Sequence, residues 1–225
     1  MTDRLRFAVF DLDGTLIDSA SSIVEGITAC WNACGFPALD PAQARRVIGL
    51  PWDRSLQVLL PGSGERELGM IRAYYEEVMS GRRSAPPRRE PIFPGACEAL
   101  AELGDAGTLL AIVTSRGSHR VHDILTECGI AHRFLTVKTV DHGPGKPNPF
   151  LLNQAMGEAG VEPHQTVMVG DTTYDIEMAR NARTAAVGVS WGVHDAHELT
   201  AAGAHRVVAR FEDIPALVRE LTGER

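Results

Sequence analysis

Four short stretches of this 225-residue chain hold residues able to do nucleophilic, acid–base or metal chemistry. Asp11-Leu12-Asp13-Gly14-Thr15 follows the apolar run Arg6–Phe10, and Thr114-Ser115-Arg116 follows Leu109–Val113. Gly145-Lys146-Pro147 lies in a loop beyond the run Phe134–Val140, and Gly170-Asp171-Thr172-Thr173-Tyr174-Asp175 follows Thr166–Val169. In an open parallel sheet, ligands bind outside the carboxyl ends of the strands. If the runs are strands of one such sheet, Asp11, Asp13, Asp171, Asp175 and Lys146 converge in one crevice. Carboxylates crowded in a partly dry cleft repel one another strongly. A hard divalent cation offsets that repulsion, and Mg²⁺ takes one or two carboxylates together with substrate phosphate oxygens and water. Lys146 supplies a second positive charge, so the cluster suits a bound dianion neutralised from both sides.

The elements that must position these residues are legible in the apolar periodicity. Residues 6–10 read as a short buried strand running into a polar turn. From Ser19 to about Ser80 the pattern is helical. Ser19 or Ser21 is placed to cap a first helix carrying Ile23, Ile27, Cys30 and Trp31. Gly35-Phe36-Pro37 ends it, and Pro41 suits the start of a second helix. A third helix is expected over Asp53 to Leu59 and a fourth over Gly64 to Met79. Residues 82–94, rich in proline and arginine, cannot continue a helix and read as a linker. After the linker, helices are expected at Ala96–Ala106, Ser118–Cys128, Pro149–Gly160, Tyr174–Ala182 and Ile214–Leu221. They alternate with strands at Leu109–Val113, Phe134–Val140, Thr166–Val169 and Ala185–Val189. Such alternation predicts an α/β fold, a Rossmann-like parallel sheet with helices on both faces. The helical stretch is then an insertion after the first strand. The expected division is an α/β core of residues 1–17 and 90–225 and a helical cap of residues 18–89.

Composition narrows the function classes. The 44% apolar and 23% charged content is that of an ordinary soluble domain. A formal net charge of −7 argues against general affinity for nucleic acid or anionic membranes. It also means that any phosphate site must be made locally positive by a metal, a lysine or backbone N–H groups. No signal-peptide core and no membrane-spanning stretch is legible. The four cysteines form no CxxC pair. Cys30 and Cys34 lie one helical turn apart, but without Cys or His partners of finger-like spacing they read as free thiols. A reducing, cytoplasmic setting is expected.

The constellation Asp11-x-Asp13-Gly14-Thr15, Thr114, Lys146 and Gly170-Asp171-x-x-x-Asp175, in this order, resembles the haloacid dehalogenase superfamily of phosphatases. The resemblance covers nearly the whole chain. It implies Asp11 as a nucleophile that forms an aspartyl-phosphate. It implies Asp13 as the acid for the leaving oxygen and then the base for water, with its backbone carbonyl also reaching the metal. Thr114 and Ser115 would hold phosphate oxygens, and Lys146 would neutralise charge on Asp11 and the transferring group. The implied metal set is Asp11, Asp13, Asp171 and Asp175 around Mg²⁺, with Asp175 either a ligand or an orienter of its waters.

The helical stretch resembles the cap of the phosphoglycolate-phosphatase-like branch. Within it, Ile48-Gly49-Leu50-Pro51-Trp52 resembles the loop that faces the crevice and helps choose the substrate, which makes Gly49 a substrate-binding candidate. Arg116 stands where that branch often has lysine, and as a planar fork in place of a point donor it should alter leaving-group preference. His142 is unusual in the lead-in to Lys146. Arg45 and Arg54 are open between contacting an anionic group and lying solvated on a helix. Asp18 reads as a cap or hinge residue. His119, His122, His132, His164, His194, His197 and His205 show no metal-like spacing and read as surface histidines. The expected substrate is a small phosphorylated metabolite, phosphoglycolate first, with pyrophosphate and sugar or nucleoside monophosphates as alternatives. A β-phosphoglucomutase-like sugar-phosphate mutase is the rival. It is disfavoured because Trp52 stands where mutases place arginine and residues 19–26 lack histidine. Both a monomer and a homodimer are compatible with the sequence.

Overall fold

The computed structural model describes residues 5–79 and 90–223, with the side chains of residues 78 and 79 left aside. Six parallel strands form one sheet in the order β3-β2-β1-β4-β5-β6. They are β1 (Arg6–Phe10), β2 (Thr108–Val113), β3 (Thr136–Lys138), β4 (Thr166–Gly170), β5 (Ala185–Val189) and β6 (Arg206–Val208). The first strand lies at the centre because its alternation buries both faces. Ala8 and Phe10 pack with Leu110, Ile112, Val167 and Val169 on one side, and Phe7 and Val9 with Ala111, Val113 and Met168 on the other. Helices α5 (Ala96–Asp105), α6 (Ser118–Glu127) and α10 (Ile214–Leu221) cover the first face; α7 (Phe150–Ala159), α8 (Thr173–Asn181) and α9 (Ala196–Ala202) cover the second. Each fully buried aliphatic or aromatic side chain here contributes about 1.5–3 kcal/mol. The expected α/β fold is therefore the fold observed.

Between β1 and α5 the described residues form four helices, α1 (Ala20–Ala33), α2 (Pro41–Arg46), α3 (Trp52–Leu59) and α4 (Glu65–Met79). They bury an apolar cluster of their own, with Ile27, Trp31, Ala44, Leu56 and Ile71 at its centre. Pro41 opens α2, and Asp40 caps it by accepting a 2.9 Å bond from the Ala42 N–H. The chain's two crossings between helices and sheet run side by side. Ile17 pairs antiparallel with Ile92, the Asp18 N–H donates to Pro91 O at 2.8 Å, and the Phe93 N–H donates to Leu16 O at 2.9 Å. Asp18 thus belongs to a crossing through its backbone, while its side chain is exposed. Most of the expected linker, residues 82–89, lies outside the described residues.

Several boundaries differ from expectation, each for a local reason. Ser19 precedes α1 but does not cap it, because its hydroxyl is drawn to the Asp13 carboxylate at 2.7 Å. The third strand stops at Lys138, not Val140. Thr139 caps a 3-10 turn at Val140–His142, its hydroxyl accepting from the Asp141 N–H while the His142 ring accepts from the Thr139 N–H. That gives His142 a local structural job. Helix α9 and strand β6 were not expected: α9 has only seven residues and β6 only three, at the edge of the sheet. Among the described residues no helix is long and apolar enough to cross a membrane, and all four cysteines are free thiols.

Candidate active site

The register brings the chemistry level. Phe10 lies beside Ile112 of β2 and Val169 of β4, so Asp11, Thr114 and Asp171 all emerge just past the same edge. The Asp11 N–H is held by Val169 O at 2.9 Å, and the Thr114 N–H by Lys138 O at 2.9 Å. Lys146 comes in from the loop before α7, and its side chain is fully buried. Its Nζ sits 2.6 Å from Asp11 Oδ1 and 2.6 Å from Asp175 Oδ1. Burial works against its charge, but the two carboxylates outweigh it and hold the ammonium proton more tightly than in water.

Asp175 has two jobs. As the third residue of α8, its Oδ2 accepts from the Thr172 N–H at 3.1 Å and hydroxyl at 2.6 Å, closing a capping box; its Oδ1 meets Lys146. Asp171 is buried and gripped on both oxygens. Thr15 donates to Oδ1 at 2.8 Å and the Val193 N–H to Oδ2 at 2.8 Å. Two glycines let the chain close around it. A Cβ on Gly14, whose φ is +81°, would stand 2.3 Å from Asp171 Oδ2, and one on Gly192 would stand 2.2 Å from Asp171 Cβ.

Ligand oxygens of Asp11, Asp171 and Asp175 lie within 4.8 Å of one another. At an effective dielectric of about 20, each pair of full charges at that separation repels by roughly 3 kcal/mol. Burial, reinforced by the neighbouring carboxylates, therefore pushes Asp11 well above the usual range despite Lys146. Burial and Asp175 push Asp171 up to about 7, against the bonds from Val193 and Thr15. Asp11 Oδ2 is buried with no hydrogen-bond partner among the described residues. An all-oxygen, anionic donor set with an orphaned carboxylate oxygen fits a hard divalent cation. The carboxylate of Asp13 is not in this group. It turns to Arg116 and Ser19, so only its backbone carbonyl is left for a metal role.

Arg116 lays its fork across two acids. Its Nε donates to Asp13 Oδ2 at 3.0 Å, and its Nη2 to Asp13 Oδ1 and, at 3.1 Å, to Glu90 Oε1. Its Nη1 donates to Glu90 Oε2 at 2.9 Å. Burial alone would raise Asp13, but the charge and bonds of Arg116 with the Ser19 hydroxyl bring it below its ordinary value.

The remaining sequence candidates fall as follows. Thr114 is buried, and its hydroxyl accepts from the Arg116 N–H at 3.1 Å. Ser115 donates its hydroxyl to Gly49 O at 2.6 Å, tying the insert's loop to the sheet. Gly49 itself packs against Thr172, where a Cβ would meet the threonine side chain at 3.0 Å. Arg45 donates to Gly192 O at 2.8 Å, so it joins insert to core, and Arg54 is exposed beside Gln57. Not all the histidines are on the surface. His194 is buried, because its Nδ1 accepts the Thr173 N–H at 3.0 Å at the start of α8 and its ring meets Tyr174 edge-on. Sequence reasoning also passed over Thr15, Ser19, Glu90 and the Trp191–Val193 loop. The one available signal for that loop was its place directly after a strand of the same sheet.

Residues 8–189 match the family described as haloacid dehalogenase-like hydrolase. "Probable phosphatase IndB" of Dickeya dadantii is 35% identical over 209 residues, covering 92% of this chain and 90% of that protein. A phosphoglycolate phosphatase of Vibrio vulnificus is 33% identical, covering 88% of this chain and 89% of its own length. Among solved structures, a predicted phosphoglycolate phosphatase from Haemophilus somnus superposes with a TM-score of 0.82 at 24% identity, covering 96% of this chain and 99% of that one. A candidate beta-phosphoglucomutase from Bacteroides vulgatus superposes with a TM-score of 0.81 at 21% identity, over 98% and 91%. At such identities these two likenesses speak to the fold alone.

Replacing Lys146 by methionine should leave two buried carboxylates uncompensated. The expected loss is about 3–5 kcal/mol in metal-free protein, measured by urea unfolding. Adding Asp175→Asn to that variant should recover part of it.

Proposed function

The chain belongs to the haloacid dehalogenase-like hydrolase family and, like its named relatives, is a phosphatase; on that premise we propose that it hydrolyses a small phosphomonoester through an aspartyl-phosphate on Asp11, with Mg²⁺. The observation that carries this is the asymmetry of the Asp11 carboxylate. One oxygen is pinned by Lys146 at 2.6 Å, and the other is buried and unpartnered. A nucleophile held at one oxygen and bare at the other is oriented for attack without being spent.

In the first step Asp11 Oδ2 forms a bond to phosphorus as the bond to the leaving oxygen breaks. Asp13 delivers a proton to that oxygen. In the second, a water attacks phosphorus, Asp13 takes its proton, and the bond to Asp11 breaks, which returns the enzyme and frees phosphate. The Arg116 clamp favours ionised Asp13, the form needed for the second step, so the clamp must loosen for the first. Lys146 and the N–H groups after Thr114 face the transferring phosphoryl group. Asp11, Asp171 and Asp175, with the Asp13 carbonyl, would hold Mg²⁺, which when bound neutralises the carboxylate cluster and polarises phosphate oxygens.

Phosphoglycolate, in the names of several relatives at 27–33% identity, is the first ester to assay. The family-wide alternative, sugar-phosphate isomerisation, has in its favour only a likeness of fold. A cytoplasmic setting fits the four free thiols.

Phosphate release from small phosphomonoesters should require both Mg²⁺ and Asp11. Asp11→Asn is expected to lower kcat by at least about 10⁴-fold with the fold retained. An Asp11→Asn enzyme with most of its activity, or a rate unchanged by chelator, would overturn the reading.

Because Asp171 is raised to about 7 in the folded metal-free protein and lies lower when unfolded, it favours the folded state at low pH. That contribution fades as pH rises from about 4 to 7 and stops changing above. Mg²⁺ needs the ionised form, so its stabilisation should grow with pH. At 100 times Kd the gain is about 2.7 kcal/mol, on the order of 5–10 °C in Tm for a chain of this size. Scanning calorimetry should give a larger Mg²⁺ increment at pH 8 than at pH 6.

A further inference from the structure

Arg116 is the one cation among the described residues that touches Asp13, the residue that must face the leaving group. Its fork has five N–H donors, and four are committed, two to Asp13 and two to Glu90. Its side chain is only 12% exposed, and the Asp13 and Glu90 side chains are 10% exposed each. Glu90 is set in the second crossing between insert and core, next to Pro91, and also accepts from the Ser22 hydroxyl at 2.8 Å. Ser22 stands in the first turn of α1, beyond the first crossing. The pair is therefore anchored from the sheet and from both crossings.

Three other positive charges among the insert's described residues are engaged elsewhere. Arg45 goes to Gly192 O, Arg46 to Glu198, and Arg72 to Asp53 and Glu65. Among the described residues, the insert brings an uncharged aromatic pair near this end. Tyr75 lies within electrostatic reach of Arg116 and Asp13, and it stacks on Trp52 at 4.4 Å between ring centroids. The Trp52 indole N–H is buried without a hydrogen-bond partner among the described residues.

A leaving group bearing its own carboxylate would have to shed water beside Asp13 and Glu90, where Arg116, the one cation among the described residues that touches Asp13, is already committed. Like charges brought together this way are penalised. A hydroxylated, uncharged group adds no like charge there and has the Tyr75 phenol within reach. Resting on the hydrolase reading above, we propose that this site selects phosphomonoesters of uncharged, hydroxyl-bearing alcohols. Glu90 enforces the choice as a positioning residue, by occupying the guanidinium of Arg116 that would otherwise receive an anionic leaving group.

The test compares 2-hydroxyethyl phosphate with phosphoglycolate, which differ in one CH₂OH against one carboxylate, with p-nitrophenyl phosphate as a permissive control. Wild-type kcat/KM should favour the neutral ester by roughly tenfold or more. Glu90→Gln should shrink or invert that ratio by raising phosphoglycolate turnover in absolute terms, and Glu90→Asp, which keeps the charge, should retain the wild-type preference. A merely structural role for Glu90 would lower both esters together. Wild-type preference for phosphoglycolate would overturn the inference and leave the hydrolase reading standing. So would a ratio unmoved in a Glu90→Gln protein that melts normally. Failure to release phosphate from all three esters would overturn the hydrolase reading and the inference with it.

Discussion

The ammonium of Lys146, buried and 2.6 Å from both Asp11 and Asp175, is the interaction on which the carboxyl edge of the sheet depends. Two carboxylates, one just past β1 and one in the first turn of α8, could not share a dry pocket without it. Desolvating three charges is costly, and such groups are kept for what they specify more than for stability. Here the lysine fixes which oxygen of Asp11 is spent and which is bare. It also joins the third βα unit to the central strand, since Lys146 arrives from the loop that follows β3. A cation on the other side of the same cluster would complete the neutralisation that Lys146 begins.

Around that pair the backbone is shaped to let charges approach. Gly14 and Gly192 leave room for Asp171 where any side chain would collide with it. The insert rises from the strand end that carries Asp11, so its loop at Gly49 reaches Ser115 and Thr172, and Arg45 reaches Gly192. Each of those contacts ends on a segment that also carries a site residue. The insert is thereby tied to the site through hydrogen bonds, and the crossing that follows it through Glu90 and Arg116.

Much of this was legible in the sequence because it is local. Alternating apolar runs gave five of the six strands within a few residues, and the order of the acidic and basic motifs placed them at one edge. What could not be read depends on partners far apart in the chain. Ser19 looked like a helix cap until Asp13 claimed its hydroxyl. Arg45 stood open between an anion contact and a solvated helix charge until Gly192 O took it. His194 looked exposed, as histidines in loops usually are, but it is buried against Thr173 and Tyr174. Glu90 carried no motif at all. It lies at the end of a proline- and arginine-rich run, where an acid reads as one more solvated charge.

The leaving-group side thus differs in kind from the phosphate side. One is a cluster of acids waiting for a cation; the other is an arginine already satisfied by acids. Both depend on Asp11 being the atom that receives phosphorus. The direct test is acid-quenched peptide mass spectrometry of Asp13→Asn enzyme mixed with a phosphomonoester and Mg²⁺. The account predicts a phosphoryl group on the peptide containing Asp11, sensitive to hydroxylamine and missing when Asp11 is also replaced. Phosphate released with no covalent species formed, or a phosphoryl group mapped to another residue, would contradict it.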